Sequence, residues 1–286
     1  MRYPMKKIII DSSGDLRSFA PLPPETEFAV VPLTLQGQRE YLDVEGLDTQ
    51  AMLREMEAWP GKTGSACPSP EDWAKQFRDA EECYAITISS QVSGSYHSAV
   101  TARKLVLEEQ PEKKIFLLDS YSTGPGMILL VRRLSELLRQ GRSYEEICLT
   151  MAACRQHTRL LFLLGSLDNL VKNGRCSKVA GLTAQVLNIR VIGRASDRGE
   201  LQLLRKCRGE SRAYETLRQE MEELRYCGGR VVISHCQQLS GAEAVRSLIL
   251  SRYPHARVDI LPTGGLCSYY AQQGGILVGF ETLPDD

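Results

Sequence analysis

The chain has 286 residues, 43% of them hydrophobic and 24% charged, with 35 basic and 35 acidic side chains. That length suits one large domain or two packed ones. Zero formal net charge supplies no basic field to draw in nucleic acid or an anionic membrane.

The opening "MRYPMKKIIID" places three isoleucines between two lysines and Asp11. The run is too short for a signal-peptide core or a membrane span and reads as a first β-strand. It ends in Asp11-Ser12-Ser13-Gly14. "EFAVVPLTL" reads as a second strand, "CYAITISS" as a third and "KKIFLLDSYSTGPG" as a fourth. Between and after them run helical patterns: "DTQAMLREMEAW", "SPEDWAKQF", "SYHSAVTARKLVLEE" and "GMILLVRRLSELLRQG". Strands alternating with helices predict a parallel sheet covered on both faces. Ligands of such sheets bind beyond the carboxyl ends of the strands. Ser12–Ser13, Ser89–Ser93 and Ser120–Gly126 all fall there.

From about Tyr144 the pattern changes. "SYEEICLTMAACRQH" predicts a helix, "TRLLFLLGS" a strand and "LDNLVKNGR" a short helix. "LNIRVIGRASDRGELQLLRKCR" predicts two strands joined at Asp197-Arg198-Gly199, a hairpin signal. An amphipathic helix "GESRAYETLRQEMEEL", a strand "RVVISHC", a helix "AEAVRSLILSRY" and closing strands "RVDILPTG" and "GGILVGFE" follow. The expected architecture is an α/β domain over 1–155 and an α+β domain over 156–286, with a ligand between them.

Nine cysteines lie between Cys67 and Cys267, without C-x-x-C and without Cys/His groups at zinc spacing. They read as reduced, mostly buried thiols of a cytoplasmic protein. Cys67, ahead of a helix start, is the candidate reactive one.

Four stretches bear on chemistry. "ISSQVSGS" sets Ser89, Ser90, Ser93 and Ser95 around Gly94 just before a helix near Tyr96. Hydroxyls and free N–H groups at a helix start attract anions, and the same serines could simply cap the helix. A hydrolase elbow would need G-x-S-x-G, and the leading glycine is missing. The histidines, His97, His157, His235 and His255, show no telling spacing; His97 could share the anion site or lie on the surface. "GKTGSACPSPEDW" is a helix start capped by Ser69, with Thr63 and Ser65 able to turn a hydroxyl inward. "LLDSYSTGPGMILL" turns tightly into a helix at Gly124-Pro125-Gly126 and matches neither nucleotide-binding glycine motif. "LDNLVKNGRCSK" offers Lys172, Arg175 and Lys178, with Arg175 after the Asn173-Gly174 turn able to point toward an anion.

Together these stretches resemble the DegV family of bacterial fatty-acid-binding proteins. "IIIDSSGDL" is similar to that family's D-S-x-x-D-L, "SACPSPEDW" to T-S-Q-P-S, and "ISSQVSGSYHSA" to I-S-S-x-L-S-G-T-Y-x-S-A. "LLDSYSTGPGM" is similar to D-S-x-x-x-S-x-G, "LDNLVKNGR" to L-x-x-L-x-K-G-G-R, and the hairpin region to I-K-P-I-L…D-G…K-x-R…A. The order and spacing of the pieces carry the resemblance along nearly the whole chain.

The resemblance implies a two-domain carrier rather than an enzyme, with one long-chain fatty acid in an apolar tunnel and no cofactor. By position it implies that Ser93 and Ser65 hold the carboxylate beside Gly94. Thr63 is the less direct alternative to Ser65, and Arg175 is expected near the headgroup. The family's terminal H-x-G-P-G is replaced here by "GLCSYYAQQGG", which makes Tyr270 the substitute for the histidine and Gly274 the surviving glycine. Val191 stands where the family has a proline. Arg208, in the K-x-R position, is implied to face a fatty-acid kinase partner, or else is simply an exposed base. Such a site needs neither metal nor general base, which would account for serines without an activating partner. A serine-dependent acyl hydrolase, or a binder of another small carboxylate or phosphate, are the alternatives. "LLFLLGS" and "GGILVGF" are the candidate tunnel walls, and serve equally as core strands.

Overall fold

Strand β1 (Lys6–Asp11) forms where the isoleucine triplet alternates between two buried faces. Ile8 and Ile10 join one apolar cluster and Ile9 joins another, as the two-residue period of a strand requires. A computed structural model describes residues 6–176 and 188–282. In it, β1 is central to a four-stranded, wholly parallel sheet of order β2-β1-β6-β7, completed by β2 (Thr26–Val31), β6 (Glu82–Thr87) and β7 (Lys114–Asp119).

Helices cover both faces. On one side lie α2 (Pro70–Arg78) and α3 (Ser95–Glu109), with Trp73, Phe77 and Ala99 buried under Ile9 and Ala85. On the other lie α1 (Thr49–Ala58), α4 (Pro125–Arg139) and α5 (Tyr144–Gln156), packing Met52, Leu130, Leu134 and Met151 on Ile8, Ile10 and Ile86. Helix α2 starts where Ser69 accepts from Asp72 N (3.2 Å) and the Asp72 carboxylate accepts in return from Ser69 N (2.8 Å). This reciprocal arrangement satisfies two donors that the helix leaves free.

The expected second strand is two strands. Pro32 lacks the N–H a ladder needs, so β2 ends at Val31 and β3 (Thr34–Gln36) joins a small antiparallel sheet with β4 (Glu40–Leu42) and β5 (Gly64–Ala66), in the order β4-β3-β5. Strands of three residues leave no periodic signal to read.

The second half builds a six-stranded mixed sheet of order β10-β9-β8-β13-β11-β12. Its strands are β8 (Thr158–Leu164), β9 (Ile189–Ala195), β10 (Leu201–Arg208), β11 (Arg230–His235), β12 (Arg257–Pro262) and β13 (Ile276–Glu281). The β9–β10 hairpin turns at the predicted residues, with Gly199 at φ +85°. Helices α7 (Glu210–Glu223) and α8 (Leu239–Arg252) cover one face, burying Leu217, Met221, Val245 and Ile249 against Leu161, Leu163 and Ile233. The short helices α6 (Asp168–Lys172) and α9 (Gly265–Ala271) lie at the other face.

Helix α4 joins the halves. Its first seven residues, Pro125 to Val131, are all buried, and a polar side of Arg132, Arg133, Glu136 and Arg139 begins only after them. Leu130 packs in the first half, while Ile128 and Leu129 pack with Val232 of β11. Gly279 of β13 makes room for it: a Cβ there would lie 2.6 Å from the Pro125 carbonyl carbon. No helix among the described residues is long and apolar enough to cross a membrane. All nine cysteines are free, but only four are buried; three are half-buried, and Cys67 and Cys227 are exposed. The expectation of mostly buried thiols therefore gives way to a spread over core, boundary and surface.

Candidate functional site

Two buried carboxylates at strand ends shape the serine loop. Asp11, the last residue of β1, accepts through Oδ1 from Ser13 N (3.2 Å) and through Oδ2 from Ile88 N (2.9 Å) and Ser95 Oγ (2.7 Å). Burial raises its pKa, and these hydrogen bonds oppose the rise. Asp119, the last residue of β7, accepts from Ser90 N (3.1 Å) and Tyr121 N (3.2 Å). The loop is thus tied to β1 on one side and β7 on the other.

These ties sort the serines by task. Ser95 is fully buried and its hydroxyl is committed to Asp11. Ser89 donates to Gly199 O (2.8 Å), joining the loop to the hairpin turn of the second half. Ser93 accepts only a 3.3 Å bond from Ser95 N and faces a cavity at the start of α3. The capping expected of Ser93 or Ser95 is therefore partial, and the Gly94 that precedes α3 provides no side-chain cap.

The cavity has a volume of about 330 Å³ and lies between the two halves. The first half contributes Leu33, Ile88, Val92 and Thr123; the second contributes Leu160, Phe162, Leu164 and Leu277. Strand alternation explains the choice on β8. Leu160, Phe162 and Leu164 share one face, and Leu161 and Leu163 point away under α7 and α8. Both candidate wall segments thus contribute to the cavity and to the core, by alternate residues.

The polar groups of the wall gather around one region. Ser65, Ser93, Gly94, Arg175 and Tyr270, all singled out in the sequence, line this one cavity. Ser65 Oγ and the Tyr270 hydroxyl lie 2.9 Å apart. Arg175 Nε donates to Val92 O (3.2 Å), crossing from the second half to the serine loop, and a second guanidinium nitrogen donates to Asn173 O. Burial raises the Tyr270 pKa, opposed by the Ser65 bond and the Arg175 charge, so the phenol keeps its proton at neutral pH. Of the two protons on the Ser65–Tyr270 pair, one is used between them and the other is left to donate. Gly94 and Cys67 at this region are exposed, so the polar region sits near the surface.

The structure does not bring every candidate here. Thr63, just before β5, lies 2.8 Å from the Tyr269 hydroxyl, which also accepts from Asn173 Nδ2 (3.0 Å). Thr63 and Lys172 line a separate polar groove. Arg208, at the end of β10, is exposed and outside the cavity wall. His97 is exposed, its ring edge-on to Tyr96. Lys178 lies outside the described residues. Gly274 turns the chain into β13 at φ +85°, and Val191 is buried in β9.

Helix α9, which carries Tyr270, was not legible in "GLCSYYAQQ". Its first N–H groups are satisfied from a distance. Asp43 accepts from Gly265 N (2.8 Å) and Leu266 N (3.1 Å), and Asp15 accepts from Gly264 N (2.8 Å). Arg17 pairs with Asp43. No residue within the helix announces such caps, which is why a sequence reading passes over them. The Asp11 and Asp119 anchors did leave a signal: each is an acidic residue closing an apolar run, in "IIID" and "LLDS".

An apolar cavity with hydroxyls, helix-start N–H groups and one guanidinium at one region suits an amphiphile with a single anionic end. Apolar burial contributes about 0.8 kcal/mol per methylene. An unpaired carboxylate would lose several kcal/mol on leaving water, which charge-assisted hydrogen bonds offset.

Comparison with known proteins agrees with that geometry. A DegV-domain protein of Streptococcus pyogenes serotype M1 is 44% identical over 276 residues, covering 96% of this chain and 99% of its own length. The crystal structure of the Streptococcus pneumoniae Fatty Acid Kinase (Fak) B3 protein loaded with linoleic acid is 40% identical. It superposes with a TM-score of 0.94 over 98% of this chain and 100% of that one. A DegV family protein from Eubacterium eligens loaded with heptadecanoic acid is 37% identical, with a TM-score of 0.93 over 97% of this chain and 100% of that one. The model of the family described as "Uncharacterised protein, DegV family" matches residues 5–282, and this chain belongs to the DegV family.

Proposed function

We propose that this protein binds a long-chain fatty acid, with the acyl chain in the cavity between the halves, and presents the carboxylate to a fatty-acid kinase. The observation that carries the reading is the cavity itself: apolar along the β8 and β13 walls, with Ser65, Ser93, Arg175 and Tyr270 together on its polar region. The two neighbours crystallised with linoleic and heptadecanoic acid support it, and the Fatty Acid Kinase B3 neighbour supports the kinase as partner. The protein is a carrier and not an enzyme; its serine holds the acid and does not attack it.

In this reading Ser93, the α3 N-terminus beside Gly94 and the Ser65–Tyr270 pair donate to the carboxylate, and Arg175 supplies the opposing charge. Tyr270 takes the role of the histidine of related sequences. The exposure of Gly94 and Cys67 leaves the acid within reach of a partner. Arg208, exposed at the end of the hairpin, faces the kinase. The functional units are 1–155 and 156–286, and the carrier works in the cytoplasm. Mass spectrometry of lipid extracted from natively purified protein tests the reading. Intact fatty acid at near-stoichiometric amounts is expected, with no turnover of acyl esters. A trapped acyl-serine at Ser93, or a protein that neither carries nor takes up fatty acid, would overturn it.

A further inference from the structure

Phe162 is the largest side chain of the apolar wall, and its position depends on a missing side chain. On β8 it pairs with Gly193 of β9 on one side and Leu277 of β13 on the other. Cross-strand partners project to the same face of a sheet, so all three would crowd the cavity floor if Gly193 carried a side chain. A Cβ at Gly193 would lie 2.2 Å from Phe162 Cζ and 2.4 Å from Cε2. The ring therefore lies down over the glycine, in space that any other residue would fill. Gly193 has no positive φ to require glycine; close approach accounts for it. Phe162 is 3% exposed to water and forms part of the cavity wall.

We infer that the Phe162–Gly193 pair determines which acyl chains the cavity accepts, by holding an aromatic ring flat against the sheet and so setting the cavity's width. The inference rests on the fatty-acid reading above. With the ring seated on β9, the chain passes over it. A residue at 193 would lift the ring into the path of the chain; a smaller residue at 162 would deepen the floor. Leu160 and Leu164, the neighbours of Phe162 on the same strand face, do not change places in either case, so the effect is confined to the middle of this wall. A methylene's worth of fit in an apolar pocket discriminates by about 10–200-fold, enough for one ring to reorder preference among fatty acids.

The test is competition binding with a series of saturated and cis-unsaturated fatty acids of increasing length. It uses delipidated full-length wild type, Phe162→Ala and Phe162→Leu, with thermal unfolding to verify folding. Expected is a shift of relative affinity toward longer or more bent chains by about tenfold or more, larger for Phe162→Ala than for Phe162→Leu. Phe162→Leu decides the matter where Phe162→Ala does not fold. Gly193→Ala should move preference toward shorter chains. It is the less forgiving variant, because the added Cβ would also meet Gln202 O at 2.6 Å. A wild type that binds the series and phenylalanine variants with unchanged relative affinities would overturn the role of the pair alone. A wild type that binds no fatty acid would overturn the proposed function and this inference together.

Discussion

The four-stranded parallel sheet is packed by side chains on both faces, whereas the six-stranded sheet is packed throughout on one face and on the other only in part, by α4, α6 and α9 around a cavity. Trp73, Phe77, Ile9 and Ala85 fill one side of the first sheet without measurable exposure, and α4 and α5 fill the other. In the second sheet, Leu161 and Leu163 are sealed under α7 and α8. Leu160, Phe162 and Leu164, one residue out of phase on the same strand, border a cavity of about 330 Å³. The difference teaches where stability and function part company. Close packing gains dispersion contacts that a void forfeits. The cavity is therefore a stability cost that an apolar guest can offset.

The strongest way to break that comparison is to truncate one residue on each side of it. Phe77→Ala should destabilise by about 3–5 kcal/mol in denaturant unfolding. Leu160→Ala should fall near the lower end of the range for leucine, about 2 kcal/mol, because its neighbourhood already contains space. Equal losses from the two would mean that the second face is packed as tightly as the first.

The next effect lies at the seam between the regions. Asp15 is half-buried, and its pKa is raised to about 7, chiefly by removal of the carboxyl from water and also by the nearby Asp43 charge; the Gly264 N–H, Cys267 and Arg17 oppose the rise. One of its oxygens, Oδ2, has no hydrogen-bond partner among the described residues. The unfolded chain releases this proton near the ordinary aspartate value of 3.8 and the folded chain near 7. The associated stability is fully present below the lower value and lost as pH rises through the upper one. At about 1.4 kcal/mol per unit, the loss is on the order of 4 kcal/mol. Asp15→Asn, which keeps an acceptor for Gly264, should flatten this portion of a stability-against-pH curve. A variant curve as steep as the wild type's would remove Asp15 from the account.

Ser93→Ala sharpens the comparison at the polar region of the cavity. It should weaken fatty-acid binding by about 1–3 kcal/mol, read by titration, and leave the unfolding of the delipidated protein nearly unchanged. The smallest effect is the control on the solid side. Ser69→Ala removes the α2 cap and should cost about 1 kcal/mol whether or not a fatty acid is present. A cost that depended on the ligand would show that the two regions are coupled.

Most of the fold was legible because its long elements carry strong periods. The four strands of the parallel sheet, the helices between them and the hairpin at Asp197–Gly199 all stand where the apolar patterns and turn residues put them. The failures have one cause. The three-residue strands β3, β4 and β5 and the helix α9 are too short to carry a period, and they are held by distant groups: Leu35 by its cross-strand neighbours Tyr41 and Ser65, and Gly265 by Asp43.

The site divides the same way. Sequence by itself determined the parallel α/β first half and the placement of serines beyond strand ends, because strand alternation and helix starts are local properties of the chain; the candidates Ser65, Ser93, Gly94, Arg175 and Tyr270 came from the resemblance of its motifs to the DegV family. Only the tertiary structure decided that these five share one cavity while Thr63 turns away. It also decided that Asp11 takes the Ser95 hydroxyl and leaves Ser93 facing the cavity, and that the Phe162 ring occupies the space a side chain at Gly193 would need. Those outcomes depend on which residues of distant strands face each other, and register between such strands is set when the sheets pack.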